Sequence, residues 1–389
     1  MISLATRIGV EAAVRLLRGV DLVIGRRPTE DLVVMISRQH RTTSGDFARI
    51  RKEIARASPS TRVVVLNHRS TRNPFIEAAR ILQQTRLLGA ARAAVVDTYI
   101  IPVSVLRPRP DRPVVQIWHA SGAMKRFGVA SVGTDEGASP AVARGMRMHR
   151  GYSAIVAGGP DAAAEFRAGF GVPAEVVVET GQPRHDRLGD PEHWEGAERR
   201  LRASYPDLVG RGRIVVYAPT MRRNAAIRWE LLSAALQDAG YTPVICPHPL
   251  DARTAVHGPG VVDGSAVPTS DWLAVADHLV TDYSALAFDS VARDVPTWLF
   301  TYDIDEYRRS PGLFTDPTVD LVPITSTSPT DLVERIAGHD RIGSPEVVAT
   351  WDRLRAGHWA VTDGLATRRL VGLLGLAPDA VPPHPSGAA

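Results

Sequence analysis

Residues 278–300 read HLVTDYSALAFDSVARDVPTWLF, and this stretch decides the class of fold. Two short apolar runs, His278–Thr281 and Thr297–Phe300, flank a helical segment over Ser284–Arg293. Short continuous apolar runs that alternate with helices are typical of parallel strands buried on both faces. The stretch therefore predicts a strand–helix–strand unit of an α/β protein.

The same alternation extends in both directions from this unit. Further strands are predicted at Asp31–Ser37, Arg62–Leu66, Ala93–Asp97, Pro113–Trp118, Ser153–Ala157, Glu175–Glu179, Arg213–Tyr217 and Thr242–Cys246, with helices at Phe47–Ala57, Pro74–Arg86, Trp229–Ala239, Asp271–Ala276 and Gly364–Leu374. A charged stretch over residues 190–212 suits an interdomain connection. We therefore expect an N-terminal α/β domain over residues 1–190, a second over 191–376, and a disordered tail rich in Pro, Gly and Ala over 377–389.

Composition narrows the class of protein. Of 389 residues, 44% are hydrophobic and 23% are charged, which excludes disorder as the main state. The single Cys246 excludes a disulfide scaffold and a cysteine zinc site. No run reaches 18 apolar residues, so no transmembrane span is predicted. We expect a protein of the cytoplasm.

The charge is mildly basic, with a net value of +4, and all but two of the basic residues are arginine. A basic surface suits anionic lipid, nucleic acid or a phosphate-rich substrate without choosing among them. The chain has no basic stripe interleaved with aromatic residues, which argues against nucleic-acid binding.

The N-terminal segment Leu4–Ile24 has the pattern of an amphipathic helix. Its apolar run is interrupted at helical spacing by Arg7, Glu11, Arg15 and Arg18, which is not the pattern of a secretory signal. Two interpretations follow: a helix packed on its own domain, or a helix in the membrane interface with arginines toward anionic headgroups.

Candidate functional residues follow the predicted strands, because α/β sheets bind ligands at the carboxyl ends of their strands. His119 follows the strand PVVQIW and is suited to taking a proton from a hydroxyl. Lys125 and Arg126, a few residues on, can hold anions. A histidine that only caps the turn is the alternative for His119.

Three later strand ends carry residues suited to a phosphate-bearing ligand. A hydroxyl and two guanidiniums follow RIVVY, and a histidine between prolines follows TPVIC. The segment after HLVT opens a helix, whose N-terminus favours phosphate, and an acid further along can reach sugar hydroxyls. In chain order the candidates are Thr220, Arg222 and Arg223; His248; and Asp282, Tyr283, Ser284 and Asp289.

The order and spacing of these segments resemble the CDP-glycerol glycerophosphotransferase family, whose members build wall teichoic acid and related polyol-phosphate polymers. The resemblance rests on WHASGAMKRFG (118–128), GQPRHD (181–186), YAPTMRR (217–223), PHPL (247–250) and TDYSALAFDSVARDVPTWLFTYDIDEYRR (281–309). It implies a GT-B fold, with two Rossmann-like domains and a cleft between them. The donor nucleotide would bind the C-terminal domain.

The resemblance also implies a reaction and a cellular place. A polyol phosphate would pass from CDP-glycerol to a hydroxyl of a lipid-linked glycan or polyol-phosphate acceptor, with CMP as leaving group. No cofactor and no metal would be needed. The enzyme would lie peripherally on the inner face of the cell membrane, against an anionic surface.

Site residues carry over motif by motif. His119 takes the place of the family's general base, and His248 that of the histidine contacting the diphosphate. The residues after RIVVY and HLVT match the donor site, namely Thr220, Arg222, Arg223, Asp282, Tyr283 and Ser284. On the acceptor side or in the cleft we expect Lys125 and Arg126, with Arg184 and Asp186 from GQPRHD.

Alternatives stay open at this point. The continuation after His119 differs from that of the best-known polymerases, so the acceptor is not fixed. CDP-ribitol or another CDP-polyol would serve the same chemistry, and a GT-B enzyme acting on a UDP-sugar would share the phosphate site. A non-enzymatic module that binds nucleotide or anionic lipid is the remaining class.

Overall fold

The computed structural model describes residues 4–24, 29–39, 42–69, 71, 73–208, 213–222, 227–248, 251 and 254–376. Twelve strands occur in these ranges: β1 Glu30–Ser37, β2 Arg62–Asn67, β3 Ala91–Val96, β4 Val114–Gln116, β5 Ala154–Val156, β6 Val177–Val178, β7 Ile214–Tyr217, β8 Thr242–Ile245, β9 Val262–Asp263, β10 His278–Thr281, β11 Thr297–Phe300 and β12 Thr325–Ser326.

Fifteen α-helices occur in the same ranges: α1 Leu4–Ile24, α2 Gly45–Ala57, α3 Pro74–Ala90, α4 Ile101–Val105, α5 Pro140–Gly145, α6 Pro160–Phe170, α7 Pro183–Leu188, α8 Pro191–Ser204, α9 Trp229–Asp238, α10 Leu286–Ala292, α11 Ile304–Arg309, α12 Pro317–Asp320, α13 Pro329–Ile342, α14 Pro345–His358 and α15 Ala366–Leu373. None of them has the length and hydrophobicity that crossing a lipid bilayer requires.

The chain forms two compact units. The first contains the chain up to Ser121, the segment Arg126–Gly189 and the residues from Ala360 onward. The second contains Gly122–Lys125 and Asp190–Trp359.

The first unit is built on a parallel sheet of six strands in the order β2-β1-β3-β4-β5-β6. Successive side chains of β1 alternate between its faces: Val33 and Met35 pack with α2, and Leu32, Val34 and Ile36 pack with α6. Since helices cover both faces, the strand is apolar throughout rather than alternating. The carboxyl edge of the sheet is left to the polar residues that follow each strand.

The second unit is built on another parallel sheet of six strands, in the order β12-β11-β10-β7-β8-β9. Counted within the unit this is the doubly wound order of Rossmann folds, and the strand order reverses between β7 and β10. Its core joins the strands to α9, α13 and α14 through buried apolar side chains such as Leu232, Ile336 and Leu354.

The structure corrects the predicted extent of the second domain. The last helix, α15, was expected to close that domain, but it packs against α2 of the first unit. Leu370, Val371 and Leu374 enter the core with Phe47 and Ile50, because the apolar side of α15 completes the helical layer over the first sheet. The predicted disordered tail over residues 377–389 lies outside the described residues.

The helix α1 keeps features of both interpretations of the N-terminal segment. Val14 and Leu17 are buried against Val105 and Leu106, so one face packs on the first unit. On the other side Leu16 is 65% and Val23 is 70% exposed. An amphipathic helix packed on its own unit is therefore confirmed, and an apolar face is left uncovered.

Candidate active site

His119 lies in a strained turn after β4. Trp118, the residue before it, has φ of 53°, a left-handed conformation that bulky residues rarely adopt. The Trp118 backbone N–H donates to Gln116 Oε1 at 2.9 Å, and its ring stacks on Phe127 with centroids 4.6 Å apart. Such strain persists only where the surroundings fix it, and it clusters at functional sites. The turn holds His119 at the carboxyl edge of the first sheet.

A backbone carbonyl selects the tautomer of the His119 ring. His119 Nδ1 lies 3.2 Å from the carbonyl oxygen of Asp97, the residue that follows β3. A carbonyl oxygen only accepts, so Nδ1 carries the hydrogen and the lone pair of the neutral ring is on Nε2. This is the tautomer that a general base needs, and the half-buried ring is held in one orientation.

Two side chains that begin α7 or precede it hold the same turn. Gln182 Nε2 donates to the carbonyl oxygens of Ile117 at 2.9 Å and Ala120 at 3.1 Å. Arg184 Nη2 donates to the carbonyl oxygen of His119 at 2.7 Å. The structure thus brings Arg184, which was expected on the acceptor side or in the cleft, to the His119 turn and gives it a positioning contact there.

Asp186 has a different place from the one we expected. Its buried carboxylate accepts hydrogen bonds from the backbone N–H groups of Ala366 at 3.1 Å and Thr367 at 2.7 Å. A carboxylate at this position satisfies the free N–H groups that begin α15 and interacts favourably with the helix dipole. These contacts give Asp186 a structural role in the first unit, rather than the predicted role toward an acceptor.

Lys125 and Arg126 are neighbours in sequence but belong to different units. Lys125 pairs with Leu313 in an antiparallel bridge, and its Nζ lies 5.7 Å from the centroid of the Tyr307 ring in the second unit. Arg126 is an exposed residue of the first unit.

The loops after β7 and β10 meet at the switch point of the second sheet. The pairing of Tyr217 with Val280 sets the two strand ends side by side. Thr220 follows β7 and Asp282 follows β10, so the two predicted donor segments come together. In doubly wound sheets, ligands bind in the crevice outside these strand ends.

Asp282 joins the two loops through a dense set of hydrogen bonds. The backbone N–H of Thr220 donates to both carboxylate oxygens at 3.0 Å, and Thr220 Oγ1 donates to Oδ1 at 2.6 Å. The backbone N–H of Tyr283 also donates to Oδ1 at 2.6 Å. Asp282 is fully buried, and its charge is compensated by these donors and by Arg222. It fixes the shape of the donor loops.

Arg222 is buried between two carboxylates. Its guanidinium contacts Asp282 Oδ2 through Nη1 and Asp303 through Nε at 2.9 Å and Nη2 at 3.1 Å. Burial opposes the charged form, but Asp282 and Asp303 outweigh it and raise the pKa of Arg222 above its ordinary value. Only 3% of the residue is exposed. The phosphate-facing guanidinium that we expected is thus committed to protein carboxylates, which differs from the prediction.

The remaining donor candidates line the start of α10 or lie within it. Tyr283 is buried, stacks on Tyr307 with ring centroids 3.8 Å apart and donates from its hydroxyl to Asp303 at 3.1 Å. Ser284 is half-buried, and its Oγ accepts from the backbone N–H of Leu286 at 3.2 Å. Asp289 is a buried residue of α10, 4% exposed. Ser284 is thus the member of this set nearest the solvent side of the switch point.

The second predicted catalytic residue, His248, follows β8. It is half-buried, and its carbonyl oxygen accepts from the backbone N–H of Asp251 at 2.7 Å in a turn. Arg223 lies outside the described residues. Across the described ranges, no three His, Cys, Asp or Glu side chains converge as a metal site would require.

Two carboxyl groups at strand ends were not among the candidate residues above. Asp97 follows β3 and holds His119 through its carbonyl oxygen, and Asp303 follows β11 and pairs with Arg222. Asp97 comes directly after β3, and Asp303 is the third residue after the end of β11. Asp97 was counted as the last residue of its strand, and Asp303 lies in a loop with several acids.

The family described as CDP-glycerol:poly(glycerophosphate) glycerophosphotransferase matches residues 21–375. A teichoic acid glycerol-phosphate primase of Bacillus spizizenii is 28% identical over 233 residues, which is 57% of this chain and 59% of the relative. A teichoic acid poly(ribitol-phosphate) polymerase of the same organism is 29% identical over 242 residues, 59% of this chain and 38% of the relative. The matches thus span about three fifths and two fifths of these relatives.

Among solved structures, the wall teichoic acid polymerase TagF superposes with a TM-score of 0.71 at 17% identity. The match covers 96% of this chain and 98% of that one. The likeness confirms the predicted GT-B fold class, which is built from two Rossmann-like units. The family match extends over most of the sequence and includes both histidine turns and the loops at both sheet edges. This chain therefore belongs to the CDP-glycerol:poly(glycerophosphate) glycerophosphotransferase family.

Proposed function

We propose that this protein transfers a glycerol phosphate unit from CDP-glycerol to a hydroxyl of a membrane-linked acceptor and releases CMP, in the synthesis of teichoic acid or a related cell-envelope polymer. The observation that carries the proposal is the His119 turn. A strained backbone, a fixed ring tautomer and the carbonyl contact from Arg184 prepare one imidazole nitrogen for proton transfer. Membership of the family supplies the donor class.

The reaction step balances as a displacement at phosphorus. The acceptor oxygen forms a bond to the phosphorus that carries glycerol, and the bond from this phosphorus to the CMP oxygen breaks. The proton of the acceptor hydroxyl passes to Nε2 of His119. Such transfers depend mainly on positioning and on stabilisation of charge, with a general base adding a further factor.

The donor would bind at the carboxyl edge of the second sheet. Asp282 and Arg222 hold the loops after β7 and β10 in place. The half-buried Ser284 and His248 would be the side chains that face a phosphate there. His248 would contact the diphosphate and stabilise the departing CMP. Thr220, Tyr283 and Asp289 would contribute through the shape of the loops.

The acceptor is proposed to be lipid-linked, and the enzyme to act on the inner face of the cell membrane. The support is α1, whose Leu16, Leu22 and Val23 are exposed beside an Arg15 side chain that is 81% exposed. An apolar stripe with a flanking arginine suits the interface of an anionic bilayer. Leu16→Glu with Val23→Glu should reduce co-sedimentation with vesicles containing phosphatidylglycerol. Equal sedimentation of the double variant and the unaltered protein would remove the membrane contact.

The activity test uses CMP release. Purified protein with CDP-glycerol and a membrane acceptor fraction should release CMP in step with incorporation of glycerol phosphate, and His119→Ala should release little. A parallel thermal-shift series compares CDP-glycerol, CDP-ribitol and a UDP-sugar. A ligand at about 100 times its Kd adds roughly 2.7 kcal/mol to the free energy of unfolding. Stabilisation by CDP-ribitol alone would change the donor, and stabilisation by uridine nucleotides alone would replace the reaction by glycosyl transfer.

A further inference from the structure

The carboxyl edge of the first sheet buries polar atoms that have no partner in the described part of the chain. These atoms are Asp97 Oδ1 and Thr98 Oγ1, from the two residues that follow β3. Asp97 is 4% and Thr98 is 7% exposed. Folded proteins pair nearly all buried polar groups, so unpaired ones at one place indicate a partner that arrives with a ligand or solvent.

Their position coincides with the switch point of this sheet. From β1 the chain crosses to β2 on one side, and from β3 it crosses to β4 on the other. The pairing of Ile36 with Val96 brings the next residues, Ser37 and Asp97, to the crevice between these strand ends. Such crevices are where doubly wound sheets bind ligands.

Asp97 also touches the proposed base directly. Its carbonyl oxygen accepts from His119 Nδ1 at 3.2 Å, so the residue that fixes the imidazole also carries Oδ1, the carboxyl oxygen without a partner in the described ranges. Ser37, at the end of β1, is fully buried, and its Oγ accepts from the backbone N–H of Gln39 at 3.2 Å. The hydroxyl of Ser37 faces the Asp97 carboxyl, yet Asp97 Oδ1 has no hydrogen-bond partner in the described ranges.

The nearby arginines contact groups other than the Asp97 carboxylate. Burial raises the pKa of Asp97 to about 7, helped by the nearby Asp46 and opposed in part by the hydroxyls of Ser37 and Thr98. The cations of this region are engaged elsewhere: Arg187 and Arg184 face Asp46, and Arg38 donates to the carbonyl oxygen of Tyr99. His119 contacts this residue through its ring, at the Asp97 carbonyl oxygen.

We infer that Asp97 binds a second hydroxyl of the acceptor, so that a polyol end reaches His119 with one hydroxyl and donates to Asp97 Oδ1 with another. The inference rests on the proposed function and names the chemistry at its acceptor site. A carboxylate oxygen accepts and repels phosphate, so the neutral, hydroxyl-bearing end of the acceptor faces this edge. Thr98 Oγ1 is placed to take part in the same contact.

If a hydroxyl of the acceptor donates to Asp97, acceptor binding is coupled to the protonation of the Asp97 carboxyl. A hydroxyl that donates to Asp97 favours its ionised form and therefore lowers its pKa on binding. Acceptor affinity should rise with pH, by about tenfold from pH 6 to 8 if only the ionised form binds and half ionisation is near 7.

The test measures binding of glycerophosphoglycerol, a phosphodiester with free hydroxyls whose charge is constant over this pH range. Dipropyl phosphate, which lacks hydroxyls, is the matched ligand. The unaltered protein should bind glycerophosphoglycerol at least about fivefold more tightly than dipropyl phosphate, as one net hydrogen bond implies, and more tightly at pH 8 than at pH 6. Asp97→Leu, which cannot accept a hydrogen bond, should lose both differences. Asp97→Asn, whose amide oxygen still accepts, should lose the dependence on pH, whereas Asp31→Asn, at the opposite end of β1, should keep both.

A second measurement needs no variant. Calorimetric titration of the unaltered protein at pH 7 in two buffers of different ionisation enthalpy should show net proton release on binding glycerophosphoglycerol. Equal affinity for the two ligands, equal behaviour of Asp97→Asn and the unaltered protein, or absence of proton release would each overturn the inference. Failure of CMP release with these binding results intact would instead remove the proposed function and leave the polyol contact in place.

Discussion

Two aspartates stand at equivalent points of the two sheets and behave in opposite ways. Asp97 follows β3 and Asp282 follows β10, each at a switch point, and each is almost wholly buried. Asp282 accepts from Thr220, Tyr283 and Arg222, whereas Asp97 Oδ1 has no partner in the described ranges. The second edge uses its carboxylate to fix two loops, whereas the first keeps one carboxyl oxygen without a partner in the described ranges, beside a proposed base.

The difference teaches what a buried charge at a strand end implies. A carboxylate paired with a guanidinium is costly to disturb but contributes rigidity rather than chemistry. A carboxyl without such a partner lowers stability, and folded proteins retain such groups mainly at functional sites. We therefore assign positioning to the edge of the second sheet around Asp282 and substrate chemistry to the edge of the first around His119.

The largest effect should come from removing the proposed base. His119→Ala is expected to lower turnover by ~10²–10⁴-fold, because a positioned general base contributes about that factor. Donor affinity should be unchanged, since the change is confined to the first unit. CMP release and calorimetric titration of CDP-glycerol measure the two quantities. His257→Ala, at an exposed histidine of the second unit, is the control, and near-normal turnover of His119→Ala would end the base assignment.

Removing the guanidinium that pairs with Asp282 should lower the free energy of unfolding. Arg222→Met leaves Asp282 and Asp303 buried without their cation, and breaking such a pair costs about 3–5 kcal/mol of unfolding free energy. Urea denaturation measures the loss. Arg335→Met removes an exposed ion pair with Asp331 and should change little. If Arg222→Met were as stable as the control, the cluster would not hold the loops.

The raised pKa of Asp97 should make the free energy of unfolding depend on pH. Folded Asp97 keeps its proton up to a pKa of about 7, whereas the unfolded chain loses it near 4. The folded state binds more protons in that interval, so this group makes stability fall as pH rises from about 4 to 7. Asp97→Asn should remove that slope and gain stability relative to the unaltered protein as pH rises.

Denaturation curves at pH 5, 6, 7 and 8 measure this difference, which should grow with pH and then level off above about 7. Asp282→Asn is the contrasting variant and should be less stable than the unaltered protein at every one of these pH values, because its neighbours lose a charged partner. A difference between Asp97→Asn and the unaltered protein that does not vary with pH would contradict the unpaired state of Asp97.

The smallest effect concerns Asp186 of the first unit, whose two carboxylate oxygens both accept hydrogen bonds from backbone N–H groups of α15. Asp186→Ala removes the cap of α15 and should cost about 0.5–2 kcal/mol, the usual value of a helix cap. Asp186→Asn retains an oxygen that can accept and should cost less. Turnover at saturating substrate should be unchanged in both variants at a temperature where they are folded. A selective loss of acceptor affinity in Asp186→Asn would return this residue to the acceptor site.

The alternation of apolar runs and helices was enough to predict most of the strands, because a strand buried on both faces must be apolar along its whole length. The strand at Thr297–Phe300 agrees to the residue with the prediction. The two-residue strands β9 and β12 were missed, whereas the equally short β6 was predicted because it lies in a run of three valines, Val176–Val178. The predicted helix at Asp271–Ala276 is a 3-10 helix over Thr269–Ala274.

What the sequence by itself determined about this protein is its α/β class, its two sheets, the candidate residues at the strand ends and its family resemblance, because these depend on local pattern and motif. What only the tertiary structure decided is which of those residues touch. Three features depend on contacts between residues far apart in the chain: the packing of α15 on the first unit, the pairing of Arg222 with two carboxylates, and an Asp97 Oδ1 without a partner in the described ranges. A charged residue after a strand has the same sequence pattern whether a partner arrives or not, and the presence of that partner decides whether it supports the fold or the chemistry.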